Sequence, residues 1–174
     1  MHIVLAILAA LGGAYFLFVR LRAAAEISND LVDMARDVRS AARRLGFRRK
    51  TNVHPAEMIE DPNIAIASIA TAMIALDDLP TREQRDALER QMQSILSVPL
   101  GDAQELTILG QWMVQQCGGP APAIARLSRK LYKMVGSDGM TPLLSIIQNT
   151  LGDGAALNPR QQDALDEIRR AFRL

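Results

Sequence analysis

The sequence predicts an all-α protein in which one N-terminal transmembrane helix continues into an amphipathic helix and then a compact helical domain. Three observations predict this class. The first nineteen residues contain no charged side chain. Apolar residues then recur at helical spacing, separated by capping residues, Pro and Gly. No stretch alternates apolar and polar residues as a half-buried strand would. The predicted organisation is a transmembrane helix at 1–19, a basic juxtamembrane helix and linker at 20–50, and an all-helical domain at 51–174.

The apolar run at 1–19 has the length of a membrane span. As a helix it would cover roughly 28 Å, about the thickness of a hydrocarbon core. A cleaved signal peptide needs Lys or Arg before the apolar run, and only Met1 and His2 stand there. A helix buried in a water-soluble core would leave a long, all-round apolar surface to cover. A retained anchor is therefore favoured over both alternatives.

Charge is distributed unevenly along the chain. Residues 20–50 contain nine basic and four acidic side chains, a net charge of +5, and residues 51–174 carry a net charge of −4. Basic residues beside a span mark the cytoplasmic side. We therefore expect the inner (plasma) membrane, with the N-terminus outside and the domain in the cytoplasm. The residues expected at the lipid surface are Arg20, Arg22, Arg43, Arg44, Arg48, Arg49 and Lys50.

The helix after the anchor carries an apolar seam. Ile27, Leu31, Met34, Val38, Ala41 and Leu45 alternate four- and three-residue steps. Three uses stay open for this seam: self-association, docking on a neighbouring subunit, or packing on the chain's own domain. Small residues in the anchor lie at a spacing that favours contact with another membrane helix, although a merely alanine-rich helix would look the same. The residues predicted to contact a membrane-protein partner or a second copy are Ala6, Ala10, Gly13, Ile27, Leu31, Met34 and Val38.

Nucleic acid is not expected as a partner. The basic segment contains a single aromatic residue, Phe47, and the domain behind it is acidic.

Six helices are predicted after a linker at 46–54. Asp61, Thr141 and Asn158 each precede a proline, an arrangement typical of a helix start. Capping-box spacing begins at Thr81, Asp102 and Asn158, and Gly118, Gly119 and Gly136 are suited to helix ends. The predicted helices span 62–76, 82–97, 103–117, 122–135, 142–151 and 159–172. The first of these is apolar nearly all round, which places it at the centre of the domain.

The domain contains a repeat near its two ends. The segments TREQRDAL at 81–88 and NPRQQDAL at 158–165 align without gaps, and each follows an apolar helix and an acidic turn. In this pattern, residues 61–174 resemble the TerB-like family, the helical fold of tellurite-resistance proteins and of a cytoplasmic region of membrane co-chaperones. The resemblance implies metal ligands at Asp77, Asp78, Glu83 and Asp153. Gln161 and Gln162 stand where the family pattern has Glu after the second turn, and no J-domain follows.

The sequence gives little support for a calcium-binding loop or for a cysteine nucleophile. The acidic turns lack the spacing of a calcium-binding EF-hand loop, so stabilising turns and helix starts is their simpler role. Cys117 is the only cysteine and has only His2 and His54 as possible bases, which favours a packed helix-end residue over a nucleophile. Trp112 is predicted to lie in the core.

These observations predict a protein that binds and does not catalyse, with no cofactor. The expected role is an accessory, assembly or scaffold subunit of a larger membrane complex. The alternative is a metal- or stress-responsive, membrane-anchored sensor.

Overall fold

The computed structural model describes residues 35–48, 52–76, 80–152 and 157–173. These residues are all-helical, as predicted, and contain no strand. Residues 38–174 belong to one compact unit, and of the other unit, 1–37, only 35–37 are described. In chain order the elements are α1 (35–44), a 3-10 turn η1 (Pro55–Met58), α2 (Pro62–Ile74), α3 (Arg82–Leu96), α4 (Leu100–Gln116), α5 (Pro120–Val135), a 3-10 turn η2 (Gly136–Gly139), α6 (Met140–Leu151) and α7 (Pro159–Ala171).

Helix α2 is the centre of the domain, which confirms the prediction from its composition. Every residue from Ile64 to Ile74 is buried. The helix packs against α4, α5 and α6. A helix that is apolar on all sides has no face suited to water, so the other helices surround it.

Small residues let α4 approach α2 closely. Gly110 of α4 faces α2 at a point where an added Cβ would lie 2.9 Å from Thr71 Oγ1 and 3.3 Å from the Ala67 carbonyl oxygen. Any larger residue would push the two backbones apart. This contact sets the distance between two central helices.

The surrounding helices bury one face each. Helix α5 buries Ile124, Leu127 and Leu131 and exposes Arg126 and Arg129. Helix α4 buries Leu106, Leu109 and Met113. The core is completed by α6 and α7, through residues that include Leu143, Ile146, Ile168 and Phe172.

Three of the predicted helix starts are confirmed at the level of hydrogen bonds. The Asn63 amide donates to Asp61 Oδ1 over 2.9 Å. Thr81 with Gln84, and Asn158 with Gln161, form complete capping boxes in which each side chain accepts from the other residue's amide.

Three predicted helix starts are displaced by two or three residues. Helix α4 begins at Leu100 after the extended residue Pro99, so Asp102 lies in its first turn and caps nothing. Helix α6 begins at Met140, because η2 runs into it through helical backbone, and Thr141 is therefore already inside the helix. Helix α5 likewise starts at Pro120, two residues before the predicted boundary. In each case the preceding turn decides the boundary, and the side-chain signal lies downstream of it.

Candidate functional site

The structure describes only part of the predicted interaction surface. Within the described ranges, no helix has the length and apolarity needed to cross a bilayer. The predicted span at 1–19 lies outside those ranges. So do Ala6, Ala10, Gly13, Arg20, Arg22, Ile27, Leu31, Met34, Arg49 and Lys50.

The end of the apolar seam packs on the chain's own domain. Ala41 is completely buried, and Val38, Ala42 and Leu45 are partly buried against the core. The sequence left three uses open for this seam, and its described end has the use of packing on the chain's own domain. The last turns of α1 are part of the domain and not a free surface.

Arg44 fastens α1 to the first turn of α4. Its Nε lies 3.0 Å from Asp102 Oδ1, and its Nη1 lies 3.0 Å from Glu105 Oε1. Glu105 is largely buried, with its side chain 17% exposed, and its second oxygen, Oε2, has no hydrogen-bond partner in the described part of the chain. We call Arg44, Asp102 and Glu105 the α1–α4 clamp.

Gly101 makes room for the clamp. A Cβ on Gly101 would lie 3.2 Å from Arg44 Nη2, so the guanidinium rests against bare backbone. The sequence offered one signal for this contact: two carboxylates three residues apart, which share a helix face. That spacing also fits a capping box, so the ion pair could not be recognised without the fold.

The other predicted surface arginines differ from Arg44. Arg43 is exposed, and its Nε donates to the Arg39 carbonyl oxygen over 3.4 Å within α1. Arg48 is exposed at the edge of a cleft of about 780 Å³, whose lining also includes Phe47, Met58 and Glu57. Of the described arginines predicted at the lipid surface, Arg44 joins two helices, whereas Arg43 and Arg48 make no contact with a carboxylate in the described structure.

Aromatic and histidine contacts fix the segment that enters the domain after α1. Phe47 meets Trp112 edge to face, with ring centroids 5.9 Å apart. Trp112 was predicted to lie in the core, but it is only partly buried and packs against the core from outside. His54 Nδ1 accepts from the Ala56 amide at 3.1 Å, and Nε2 lies 3.1 Å from the Gln116 carbonyl oxygen. Accepting at Nδ1 leaves the proton on Nε2, so the neutral ring satisfies both contacts.

No family model, curated protein or solved structure matches this chain.

The predicted metal ligands are mostly outside the described ranges. Asp77, Asp78 and Asp153 are not described, and Glu83 is exposed in the first turn of α3. Among the residues that the structure does describe, no group of three or more His, Cys, Asp or Glu side chains could hold a metal ion. The metal site therefore stays a prediction.

Cys117 is a half-buried helix-end residue, directly after α4 and packed against the core. Burial raises the pKa of its thiol, and the nearby Arg126 opposes that effect. A raised pKa keeps the sulfur in its unreactive thiol form near neutral pH. The contacts of this residue are those of a packing residue.

A second cleft lies between α2, α5 and α7. Its volume is about 430 Å³, and its lining includes Leu76, Ile124, Ala164, Arg160 and Arg170. Leu76 is the last described residue before the first acidic turn, and Arg160 lies shortly after the second. The described ends of both turn-containing segments therefore flank one cleft.

Proposed function

We propose that this chain is a non-enzymatic, single-pass membrane protein whose cytoplasmic domain serves as an accessory, assembly or scaffold subunit of a larger membrane complex. The observation that carries the proposal is the way α1 joins the domain. Ala41 is completely buried, and Arg44 bridges Asp102 and Glu105 of α4. The described end of α1 is thereby held on the domain, and this fixed connection is the support for a positioning role.

The membrane part of the proposal rests on the sequence. An uncharged run at 1–19 followed by a segment of net charge +5 favours a span with its basic flank in the cytoplasm. Small residues at Ala6, Ala10 and Gly13 offer a face for another membrane helix. The all-helical domain is compatible with the resemblance to the TerB-like family, which we retain as part of this proposal.

The chemistry of the side chains also favours binding over catalysis. His54 uses both ring nitrogens in backbone contacts, which leaves it no free base for proton transfer. Cys117 is half-buried with a raised pKa. The contacts of the His54 ring and the Cys117 thiol therefore favour structural roles for both residues.

Purification of the full chain from membranes in mild detergent tests the proposal. A partner should co-purify in fixed stoichiometry. Arg44→Ala, which releases α1 from α4, should reduce the amount of that partner several-fold. Arg43→Ala is the matched control, because it removes the same charge one residue away without touching a carboxylate. A chain that runs as a lone monomer with no stoichiometric partner would contradict the proposal.

A second candidate is a metal- or stress-responsive sensor of the tellurite-resistance type. The observation that favours it is the cleft whose lining includes Leu76 and Arg160, which stand in the sequence shortly before the first acidic turn and shortly after the second. The charged residues of that lining are two cations, Arg160 and Arg170, and two acids, Asp163 and Glu167, so its charges balance. Gln161 stands where the family pattern has an acid, which opposes cation binding. Calorimetry of the full chain with Ca²⁺ tests this candidate, with Asp77→Ala and Asp153→Ala as controls. The absence of both binding heat and a thermal shift would exclude a calcium-responsive sensor.

A further inference from the structure

The charged residues of α5 are all basic. Arg126, Arg129, Lys130 and Lys133 are the charged side chains between Pro120 and Val135. At 3.6 residues per turn they fall within an arc of roughly 100° on the side of the helix opposite its buried residues. Arg126, Arg129 and Lys133 are exposed. The result is a continuous row of cations along the outer side of α5.

Among the described residues, none of these cations forms an ion pair with an acid. The ion pairs described for the domain belong to Arg44, Arg169 and Arg170. Within the described residues, the polar contacts of the α5 row go instead to uncharged carbonyl oxygens. Arg129 Nε donates to Ala125 at 2.8 Å, and Lys130 Nζ donates to Glu57 at 2.8 Å. The positive charge of the row is therefore available to an anionic partner.

The end of α7 adds a fifth cation to this surface. The Arg173 guanidinium lies 5.3 Å from the centre of the Tyr132 ring, and Tyr132 is a neighbour of Lys133 on α5. We define the basic face of α5 as Arg126, Arg129, Lys130, Lys133 and Arg173. Residues 51–174 carry a net charge of −4, so five cations on one face represent a marked separation of charge.

The basic face adjoins the cleft that Arg48 lines. Lys130 binds the backbone of Glu57, and Glu57 lines the same cleft as Arg48 at the end of the α1 segment. As one continuous helix, residues 20–44 would be roughly 38 Å long.

We propose that the basic face of α5 docks on the anionic headgroups of the membrane into which the chain is anchored. This inference rests on the proposed membrane anchor and adds a second contact, made by the domain itself. Anionic lipid is the occupant that fits, because long cationic side chains in a row adapt to many phosphates without needing a pocket. The uncharged residues beside the row, Ala121 and Ala125, are small and line the cleft of about 430 Å³ between α2, α5 and α7.

Energy transfer on reconstituted full chain tests the docking. A donor dye is placed on Ser137→Cys, an exposed position just beyond α5, in a Cys117→Ser background. The acceptor is carried by labelled lipid in vesicles of phosphatidylcholine alone or mixed with phosphatidylglycerol. Transfer should be higher in the anionic vesicles and should fall to the neutral level at high salt, because headgroup attraction is screened.

Charge reversal supplies the specific control. Arg126→Glu with Arg129→Glu should lower the equilibrium constant for docking on anionic vesicles roughly tenfold or more. Arg82→Glu with Arg90→Glu on α3 makes the same change of charge on exposed residues of a different helix and should leave transfer unchanged.

The outcomes separate this inference from the proposed function. A chain that floats with neither kind of vesicle would overturn the anchor and the docking together. A chain that inserts but shows equal transfer in neutral and anionic vesicles would overturn the docking alone. Transfer that survives reversal on α5 but not on α3 would also overturn it. If lipid charge has no effect and reversal on α5 instead removes a stoichiometric partner, the face binds an acidic protein and the lipid assignment is wrong.

Discussion

Arg44 connects two helices through a single guanidinium, and its partner Glu105 is too buried to be well solvated without it. We expect Arg44→Ala to lower the free energy of unfolding by roughly 1 kcal/mol, because an exposed ion pair contributes up to about that much and Glu105 is left without its cation. Thermal unfolding of the full chain in detergent measures the loss.

Arg43→Ala is again the comparison for this stability measurement. It should change stability by less than about 0.5 kcal/mol, as exposed substitutions generally do. Equal losses from Arg43→Ala and Arg44→Ala would show that the contacts of Arg44 with Asp102 and Glu105 contribute nothing specific.

Glu89 of α3 gives the domain a pH dependence with a definite sign. Burial raises the pKa of Glu89 above its ordinary value of 4.5, while a hydrogen bond from Gln104 opposes the rise. The folded state therefore holds this proton more tightly than the unfolded state. Its contribution to stability is fully present below the ordinary pKa and is lost as pH rises through the raised value.

Replacing Glu89 by Gln should remove this dependence. The melting temperature of Glu89→Gln relative to the natural chain should rise as pH increases from below 4.5 toward neutrality. Gln104→Ala should make the natural dependence steeper, because it removes the donor that favours the charged carboxylate. A relative melting temperature that is flat or falls over this range would refute the assignment.

At the scale of elements, the approach of α4 to α2 depends on Gly110. Gly110→Ala gains up to about 1 kcal/mol of helix propensity but forces a Cβ to within 2.9 Å of Thr71 Oγ1, at an overpacking cost of about 1–3 kcal/mol. The 3.3 Å contacts with the backbone of Ala67 and Ser68 cannot relax by a rotamer change. We therefore expect a net destabilisation of roughly 1–2 kcal/mol by thermal or urea unfolding.

A double-mutant cycle identifies the cause. Thr71 Oγ1 is buried and makes no hydrogen bond in the described structure, so Thr71→Ala removes the closest obstacle without breaking a polar contact. Gly110→Ala should cost less in the Thr71→Ala background than alone. Strict additivity of the two changes would show that Thr71 does not contribute to the cost of Gly110→Ala.

The helix starts show how far local sequence determines an element. The capping boxes of α3 and α7 lie within four consecutive residues each, and both were predictable for that reason. The starts of α4 and α6 depend on the extended backbone of Pro99 and on η2, which lie before the residues that the capping signals mark. A capping pattern indicates that a helix starts nearby, but it does not show whether a preceding turn already begins the helix.

At the scale of the molecule, the proposed membrane orientation can be measured directly. With Cys117 replaced by Ser, a membrane-impermeant thiol reagent should label His2→Cys in intact cells and Ser137→Cys only after the cells are permeabilised. We expect this pattern because the segment that follows the apolar run carries a net charge of +5, and basic residues beside a span mark the cytoplasmic side. The reverse pattern, or labelling of both cysteines in intact cells, would contradict the orientation.

The candidate interaction surfaces divide the same way between sequence and structure. Val38 was recognisable as part of an apolar seam, but its packing on the chain's own core was one of three alternatives that periodicity alone left equal. The basic face of α5 combines a periodic row with Arg173, which is forty residues further along the chain than Lys133. No local pattern connects these residues.

The sequence by itself determined the all-α class, the central place of α2 and the helix starts at Asp61, Thr81 and Asn158, because composition, periodicity and capping act over a few neighbouring residues. Only the tertiary structure decided that Arg44 bridges Asp102 and Glu105, that α4 and α2 meet at Gly110, and that Arg173 joins the cations of α5. These contacts join residues from 39 to 61 positions apart, and their partners are chosen by how the helices pack around α2.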